Sequence, residues 1–422
     1  MSCLENVYDC KKGRFVVHKE EDMVNVAVLG YGTVGSGVVQ VIEQNKEQVN
    51  KSADVELNVK YILDLREFPG DRYESKIVHD FETIINDPDI NIICETMGGI
   101  KAAYDFTKRA LMKGISVCTS NKELVAAYGP ELIRIAKEHV CNYLFEASVG
   151  GGIPIIRPLN YSLTAERIDA ITGILNGTTN YILTKMEKEG SKFDDVLLEA
   201  QDKGYAERNP EADIEGYDAG RKIAILTSLM SGKTYKYEHV YTEGISSLTA
   251  ADFLYARKMN RTIKLFGMSR ENHGAYYAMV APFMVSKNNP LSMVNDVFNA
   301  IMVHGNMLGD SMYYGKGAGK LPTASAVVSD VIDAARHIGK IIKCFWDEEE
   351  VEYKPIETVT YRYFVRIDAS KQAAALKLFD SVSTMDTVIP GEFAFTTEPM
   401  TEQVFNQRAE ELGIISRIRL AD

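Results

Sequence analysis

The chain has 422 residues, 45% hydrophobic and 25% charged, which suits a soluble globular protein with two or three cores. Its formal net charge of -12 disfavours a nucleic-acid partner, and no apolar run approaches the roughly 18–20 residues that span a bilayer, so no membrane partner is expected. Met1–Lys19 lacks a signal core, and Cys3, Cys10, Cys94, Cys118, Cys141 and Cys344 form no CxxC pair, so a cytoplasmic location is expected.

Residues 24–30 form an apolar run that reads as a strand buried on both faces. The string GYGTVG (Gly30–Gly35) follows, and then a helical pattern with Val34, Val38, Val41 and Ile42 on one face. Strand-like runs at 58–63, 90–95, 115–119 and 142–146 alternate with helical patterns at 101–112 and 122–138. Such alternation predicts a doubly wound parallel sheet. Gly150-Gly151-Gly152-Ile153-Pro154 marks a domain boundary. Beyond it, strands are expected at 167–175, 262–268, 275–285 and 299–304, with 178–201 mostly helical. A helix at 322–343 is expected to return to the first domain. After Trp346 an acidic run, Asp-Glu-Glu-Glu, reads as a linker. The tail reads as strand 360–367, helix 371–382, strand 392–397, helix 401–412 and strand 414–420.

Several of these segments carry chemistry. In GYGTVG, Gly30 permits a tight turn, Gly32 lets the backbone approach a pyrophosphate, and Gly35 allows close helix–strand packing. Tyr31, Thr33 and Val34 sit at the head of the helix, whose N-terminus favours phosphate. Asp64, after the second strand, suits ribose hydroxyls and NAD; Arg66 suits a 2′-phosphate and NADP. Thr96 and Gly98 in ETMGG, and Lys122 in SNK, end strands at the carboxyl edge where open α/β sheets bind ligands. Glu146–Ile153 joins a carboxylate to glycine-rich backbone. It suits either an oxygen cage for a hard monovalent cation or a hinge, and residue types alone favour the hinge. Residues 202–222 gather Glu207, Asp213, Asp218 and Lys222 around Gly204, Pro210 and Gly216. Asp218 and Lys222 are four apart and share a helix face. The run fits a small substrate bearing an ammonium and a carbonyl, and equally a solvated acidic loop with an ordinary ion pair.

Taken in order, the strings GYGTVG, ETMGG, SNK, EASVGGGIPII (Glu146–Ile156), GILNGTTNYIL (Gly173–Leu183), Asp202–Lys222 and GKGAGKLPTA (Gly315–Ala324) resemble those of homoserine dehydrogenase, which reduces aspartate 4-semialdehyde to homoserine. The similarity covers roughly residues 24–345. It implies NAD(P) as coenzyme, Lys222 as catalytic proton donor and Lys122 as a second active-site lysine. It further implies Glu207 and Asp218 as substrate-binding carboxylates with Asp213 beside them, and Gly204 and Gly317 near the coenzyme. Glu146, Val149, Gly151 and Ile153 become the site of a monovalent cation, Na⁺ or K⁺, which reverses the hinge reading. Lysine suits this reduction, because hydride addition builds negative charge on the aldehyde oxygen.

The expected architecture is α/β: a Rossmann-like domain at 22–150 with 322–346 packed back on it, a central mixed α+β substrate and dimerisation domain at 151–321, and a small α+β ACT-like module at 351–422. Asp368-Ala369-Ser370-Lys371-Gln372 lacks the Pro-Gly turn usual after the first ACT strand, so effector binding in the usual way is not expected. A monofunctional enzyme of threonine and methionine biosynthesis is expected, assembled as a homodimer or higher homo-oligomer. Two other readings are a catalytically dead NAD-binding regulator, which intact Lys122, Glu207, Asp218 and Lys222 oppose, and an oxidoreductase for another amino-acid semialdehyde.

Overall fold

A computed structural model describes the chain at residues 5–9, 14–18 and 23–422. Cys3 and Cys10 lie outside the described residues, as do 1–4, 10–13 and Lys19 of the stretch read above for a signal core. The strands Glu5–Asp9 and Arg14–His18 pair antiparallel. The rest divides into two compact units, one of residues up to Leu124 with Glu131–Ser148 and Gly319–Cys344, the other of Val125–Pro130, Val149–Ala318 and Phe345–Asp422.

The first unit holds a six-stranded, wholly parallel sheet ordered Ile77–Val78, Glu56–Leu63, Met23–Leu29, Ile90–Glu95, Ser116–Thr119, Tyr143–Leu144. In chain order this is 3-2-1-4-5-6, the Rossmann arrangement, and the strand order reverses beside Met23–Leu29. The central strands are apolar on both faces because helices cover both. The helix Lys320–Arg336 joins this unit and buries Ala324, Val327, Val328 and Val331 with Val38, Val39 and Ile42 of the helix Thr33–Gln44. Gly37 permits that approach, since a Cβ there would lie 2.9 Å from Ala324 Cβ. The predicted 322–343 helix is shorter at its end: it stops at Arg336, and Gly339, with φ of 69°, turns the chain away.

The second unit is built on a ten-stranded mixed sheet running from the edge strand Gly309–Lys316 through Phe298–Gly305, Ile168–Ile174, Arg261–Asn272 and Ala275–Ser286. It continues directly into the tail, where Ile414–Ala421 pairs parallel with Ala275–Ser286 and antiparallel with Tyr363–Asp368. The tail runs β-α-β-β-α-β, with Glu392–Thr397 beside Tyr363–Asp368 and Val382–Thr384 outermost, the split βαβ pattern. The helix expected at 371–382 covers only Gln372–Leu378. Phe379 leaves the helix for a core with Phe395 and Phe405, and Val382–Thr384 becomes a strand. The segment 178–201 splits into Gly177–Glu189 and Phe193–Asp202 at left-handed Gly190.

Two buried arginines weld the tail to the rest of this unit. Arg366 pairs with Asp252 and Glu392, each at 2.7 Å, and the fully buried Arg419 pairs with Glu243 and Glu402, each at 2.7 Å. Burial alone would make the Arg419 charge costly, but the two carboxylates outweigh it and hold the guanidinium above its usual pKa. The acidic run read as a linker is instead an ordered strap: Thr234 N–H donates to Glu349 O, Val351 N–H to Thr234 O, and Lys233 and Lys236 pair with Glu349 and Glu350.

Candidate active site

In the first unit the Gly30–Gly35 turn is held by its own backbone. Gly30 sits at φ of 92°, and its N–H donates to Leu63 O at 2.8 Å. A Cβ on Gly35 would lie 1.8 Å from Gly30 O and 2.8 Å from Thr96 Oγ1, so glycine is obligatory there. Thr96 Oγ1 hydrogen-bonds the Leu29 and Gly30 carbonyls at 2.9 and 3.0 Å and ties ETMGG to the turn. Gly32 precedes the helix Thr33–Gln44 without a side-chain cap. Thr33 and Val34 therefore present early N–H groups of that helix, a ready anion site. No atom lies within 4 Å of a Cβ at Gly32 or Gly98, which leaves the backbone open there.

Asp64 accepts from Tyr31 N–H at 2.8 Å and takes a two-point grip from Arg66, Nε to Oδ1 and a terminal nitrogen to Oδ2, both at 2.9 Å. The Arg66 hydrogen bonds hold its carboxyl well below the usual range. The two residues that sequence set as alternatives are thus one ion pair. A cleft of about 480 Å³ in this unit is lined by Tyr31, Ser36, Phe68, Arg72, Tyr73 and Lys320 among others. Lys122, half-buried, opens the helix Lys122–Glu138, capped by Asn121, whose Oδ1 accepts from Leu124 N–H at 3.1 Å.

In the second unit, Lys222 and Asp218 lie on the helix Tyr217–Ser231, and the i,i+4 pair forms: Nζ to Oδ2 is 2.7 Å with both residues buried. Lys222 Nζ also donates to Leu175 O at 2.8 Å. Asn176 joins the two acids that sequence could only list together, its amide donating to Asp213 Oδ1 and Asp218 Oδ2, both at 2.8 Å. The same side chain caps the helix Gly177–Glu189 through Thr179 N–H. Asn176 went unassigned in the sequence, although Asn-Gly-Thr-Thr ahead of an apolar helical run is a capping signal. Glu207 stands apart: its side chain is exposed, and its backbone carbonyl accepts from Gln201. Gly204 (φ 72°) turns the chain just before it. Gly216, with φ of 83°, lets the loop pass against Val280 and Thr242 on its way into the lysine helix.

The segment Glu146–Ile153 is built as turns. Glu146 is buried, and its N–H donates to Asp330 Oδ2 at 2.9 Å. Val149 and Ile153 are buried too. Gly150 and Gly151 are consecutive left-handed residues, and a Cβ on Gly151 would lie 2.4 Å from Gly317 O. Gly152 N–H donates to Lys316 O, so this loop and the GKGAG string support each other. A buried carboxylate and a backbone forced to turn fit a hard, oxygen-liganded cation. Among the described residues no cluster of three His, Cys, Asp or Glu could hold a metal.

A family model of the homoserine dehydrogenase NAD-binding domain matches residues 30–146, and one of homoserine dehydrogenase matches 154–332. The chain is 42% identical over 359 residues to homoserine dehydrogenase of Synechocystis sp., covering 81% of this chain and 82% of that protein. It is 40% identical over 318 residues to the Bacillus subtilis enzyme, covering 75% and 73%. The solved homoserine dehydrogenase of Thiobacillus denitrificans superposes with a TM-score of 0.87 at 34% identity, covering 95% of this chain and 99% of that one. A hyperthermophilic archaeal homoserine dehydrogenase in complex with NADPH gives a TM-score of 0.63 at 32% identity, covering 74% and 97%. With the dinucleotide turn and the buried lysine–aspartate pair both in place, these likenesses establish that the chain belongs to the homoserine dehydrogenase family, as an NAD(P)-dependent oxidoreductase that reduces aspartate 4-semialdehyde to homoserine.

Proposed function

We propose that Lys222 donates the proton to the aldehyde oxygen. Hydride addition at the aldehyde carbon leaves negative charge on that oxygen, which needs a fixed donor. The observation that carries this reading is the hydrogen-bond count at Nζ. An ammonium has three N–H donors; Leu175 O and Asp218 take two, and the third serves the substrate. Lys122 supplies a second cationic group from its helix start. Asp213, Asp218 and Glu207 receive the substrate's α-ammonium, with Asn176 holding the first two in register.

Gly30, Tyr31, Gly32, Thr33, Val34 and Gly35, together with Thr96 and Gly98, hold the dinucleotide, and Gly204 and Gly317 border it. When bound, the nicotinamide supplies the hydride. NAD is favoured over NADP: Asp64 neutralises Arg66, the cation otherwise suited to a 2′-phosphate. Glu146, Val149, Gly151 and Ile153 hold Na⁺ or K⁺. The enzyme works in the cytoplasm as a homodimer or higher homo-oligomer. In support, the edge strand Gly309–Lys316 alternates its exposure and turns Met312 and Tyr314 outward, next to exposed Met307 and Leu308. The ACT-like tail does not bind threonine in the usual way, since Asp368 caps a short turn, accepting from Ser370 N–H, where an ACT domain usually has Pro-Gly. Oxidation of NADH and of NADPH with aspartate semialdehyde, with and without threonine and monovalent salt, tests these assignments. Faster turnover with NADPH, or inhibition by threonine that deletion of 351–422 abolishes, would contradict them.

A further inference from the structure

Glu95 ends the strand Ile90–Glu95 at the carboxyl edge of the first unit's sheet, and none of it reaches solvent. An ionisable group there is costly unless every oxygen is satisfied. Its hydrogen-bond partners come from two separate pieces of that edge. Thr119 Oγ1 donates to Oε2 at 2.5 Å, from the end of the next strand. Met97 N–H donates to Oε1 at 2.8 Å, from the ETMGG turn. The Asn121 amide lies near enough to favour its charged form. Asn121 then closes the circuit. Its N–H donates to Thr119 Oγ1 at 2.9 Å, its amide donates to Gly99 O at 2.7 Å, and its Oδ1 caps the helix that starts at Lys122.

We infer that Glu95 is a positioning residue for the reduction: gripping Met97 and Thr119, and through Thr119 holding Asn121, it fixes Lys122 relative to the Thr96–Gly99 turn. This rests on the proposed role of Lys122. The titratable groups around it are Cys118 on the flanking strand, Tyr143 on the strand beyond that, Lys122 and Glu123 at the helix start, and Asp330, beside Cys94, on the helix Lys320–Arg336; the strand Met23–Leu29 brings none, and the helix Lys101–Met112 buries Ala103, Thr107, Ala110 and Leu111. Burial pushes the Glu95 carboxyl up to about 7, so the network changes its proton count near neutral pH. As a carboxylate, Glu95 accepts from every partner. As an acid it has one O–H to place. Among these partners only the Thr119 hydroxyl can turn to receive it while still accepting from Asn121 N–H. The bond then reverses and the Thr119 hydroxyl loses Glu95 as its acceptor, so the acid form grips the edge less firmly than the carboxylate and activity follows the ionisation.

The test compares Glu95→Gln, Thr119→Val, Lys122→Ala and Glu95→Gln/Lys122→Ala, with kcat and both KM values measured from about pH 5.5 to 9. A misplaced catalytic group is expected to lower kcat about 10-fold in Glu95→Gln and in Thr119→Val, with KM for aspartate semialdehyde changed less than about 2-fold. The ionisation near neutral pH should leave the Glu95→Gln profile, and the double variant should be no slower than Lys122→Ala. Thr119→Val carries the same test should the Gln variant fail to fold. Wild-type kcat and an unchanged pH profile in both single variants, beside an impaired Lys122→Ala, would overturn the inference and leave the Lys122 assignment standing. Near-normal turnover in Lys122→Ala would remove that assignment and this one with it. Additive losses in the double variant would also overturn it, because Glu95 would then act independently of Lys122.

Discussion

Replacing Lys222 by methionine keeps much of the side-chain volume and removes the ammonium. Loss of a positioned proton donor lowers kcat by roughly 10²–10⁴, or about 3–5 kcal/mol of transition-state stabilisation. A second, smaller effect falls on stability. Lys222 and Asp218 are 8% and 4% exposed, and breaking a buried pair by removing one partner costs about 3–5 kcal/mol. Here the orphaned carboxylate keeps the Asn176 amide at 2.8 Å. That bond is present in the parent enzyme as well, so it places the loss at the lower end of the range, about 3 kcal/mol, with a Tm lower by several degrees. The Gly30–Gly35 turn belongs to the other unit, so coenzyme affinity should stay within about 2-fold, because uniform binding and transition-state terms separate in kcat and KM. Stopped-flow and steady-state coenzyme oxidation give kcat, fluorescence titration gives coenzyme affinity, and calorimetry gives Tm. A folded Lys222→Met enzyme that turns over within about 10-fold of the wild type would refute the assignment, since a general acid contributes more than that.

Four further outcomes follow from the geometry. Gly35→Ala puts a methyl 1.8 Å from Gly30 O and should abolish coenzyme binding in a fluorescence titration; retained affinity would show that the turn yields freely. Asp64→Ala frees the Arg66 fork and should raise the NADPH-to-NADH ratio of kcat/KM. In the parent enzyme Arg66 keeps Asp64 ionised, so any pH dependence of that ratio above about pH 5 should follow the 2′-phosphate of NADPH, which titrates at about 6. Activity should respond to Na⁺ or K⁺ and survive EDTA, and Gly151→Ala, forced against Gly317 O, should blunt the salt response; complete loss with EDTA would instead require a divalent metal. Glu95 makes stability fall with pH: its folded-state carboxyl titrates at about 7 against 4.5 unfolded, so the folded state binds the extra proton between those values. Its contribution is complete below 4.5 and lost as pH rises through 7, a change of about 3 kcal/mol that denaturant titrations should find reduced in Glu95→Gln.

What the chain determines locally was legible in its sequence. A buried apolar strand ending in GYGTVG specifies a dinucleotide turn, because spacing within six residues fixes which backbone atoms meet. Asp218 and Lys222 had to share a helix face, because 3.6 residues make a turn. The alternation of strands and helices likewise announced the parallel sheet. Pairings across long stretches of chain were decided only in three dimensions. Asn176 reaches acids 37 and 42 residues away, and nothing in the local pattern ranks it above other capping asparagines. Asp64 and Arg66 looked like alternatives until their side chains closed on each other. The edge strand Gly309–Lys316 escaped notice because glycines and exposed polar residues dilute its alternation, while its existence depends on the neighbour Phe298–Gly305. The tail's final strand had a clear local pattern, yet its choice of Ala275–Ser286 as partner rests on register and on Arg419 meeting Glu243 and Glu402 from distant segments. Short-range backbone geometry is written residue by residue; long-range pairing is settled by which buried charges and sheet edges find one another when the core closes.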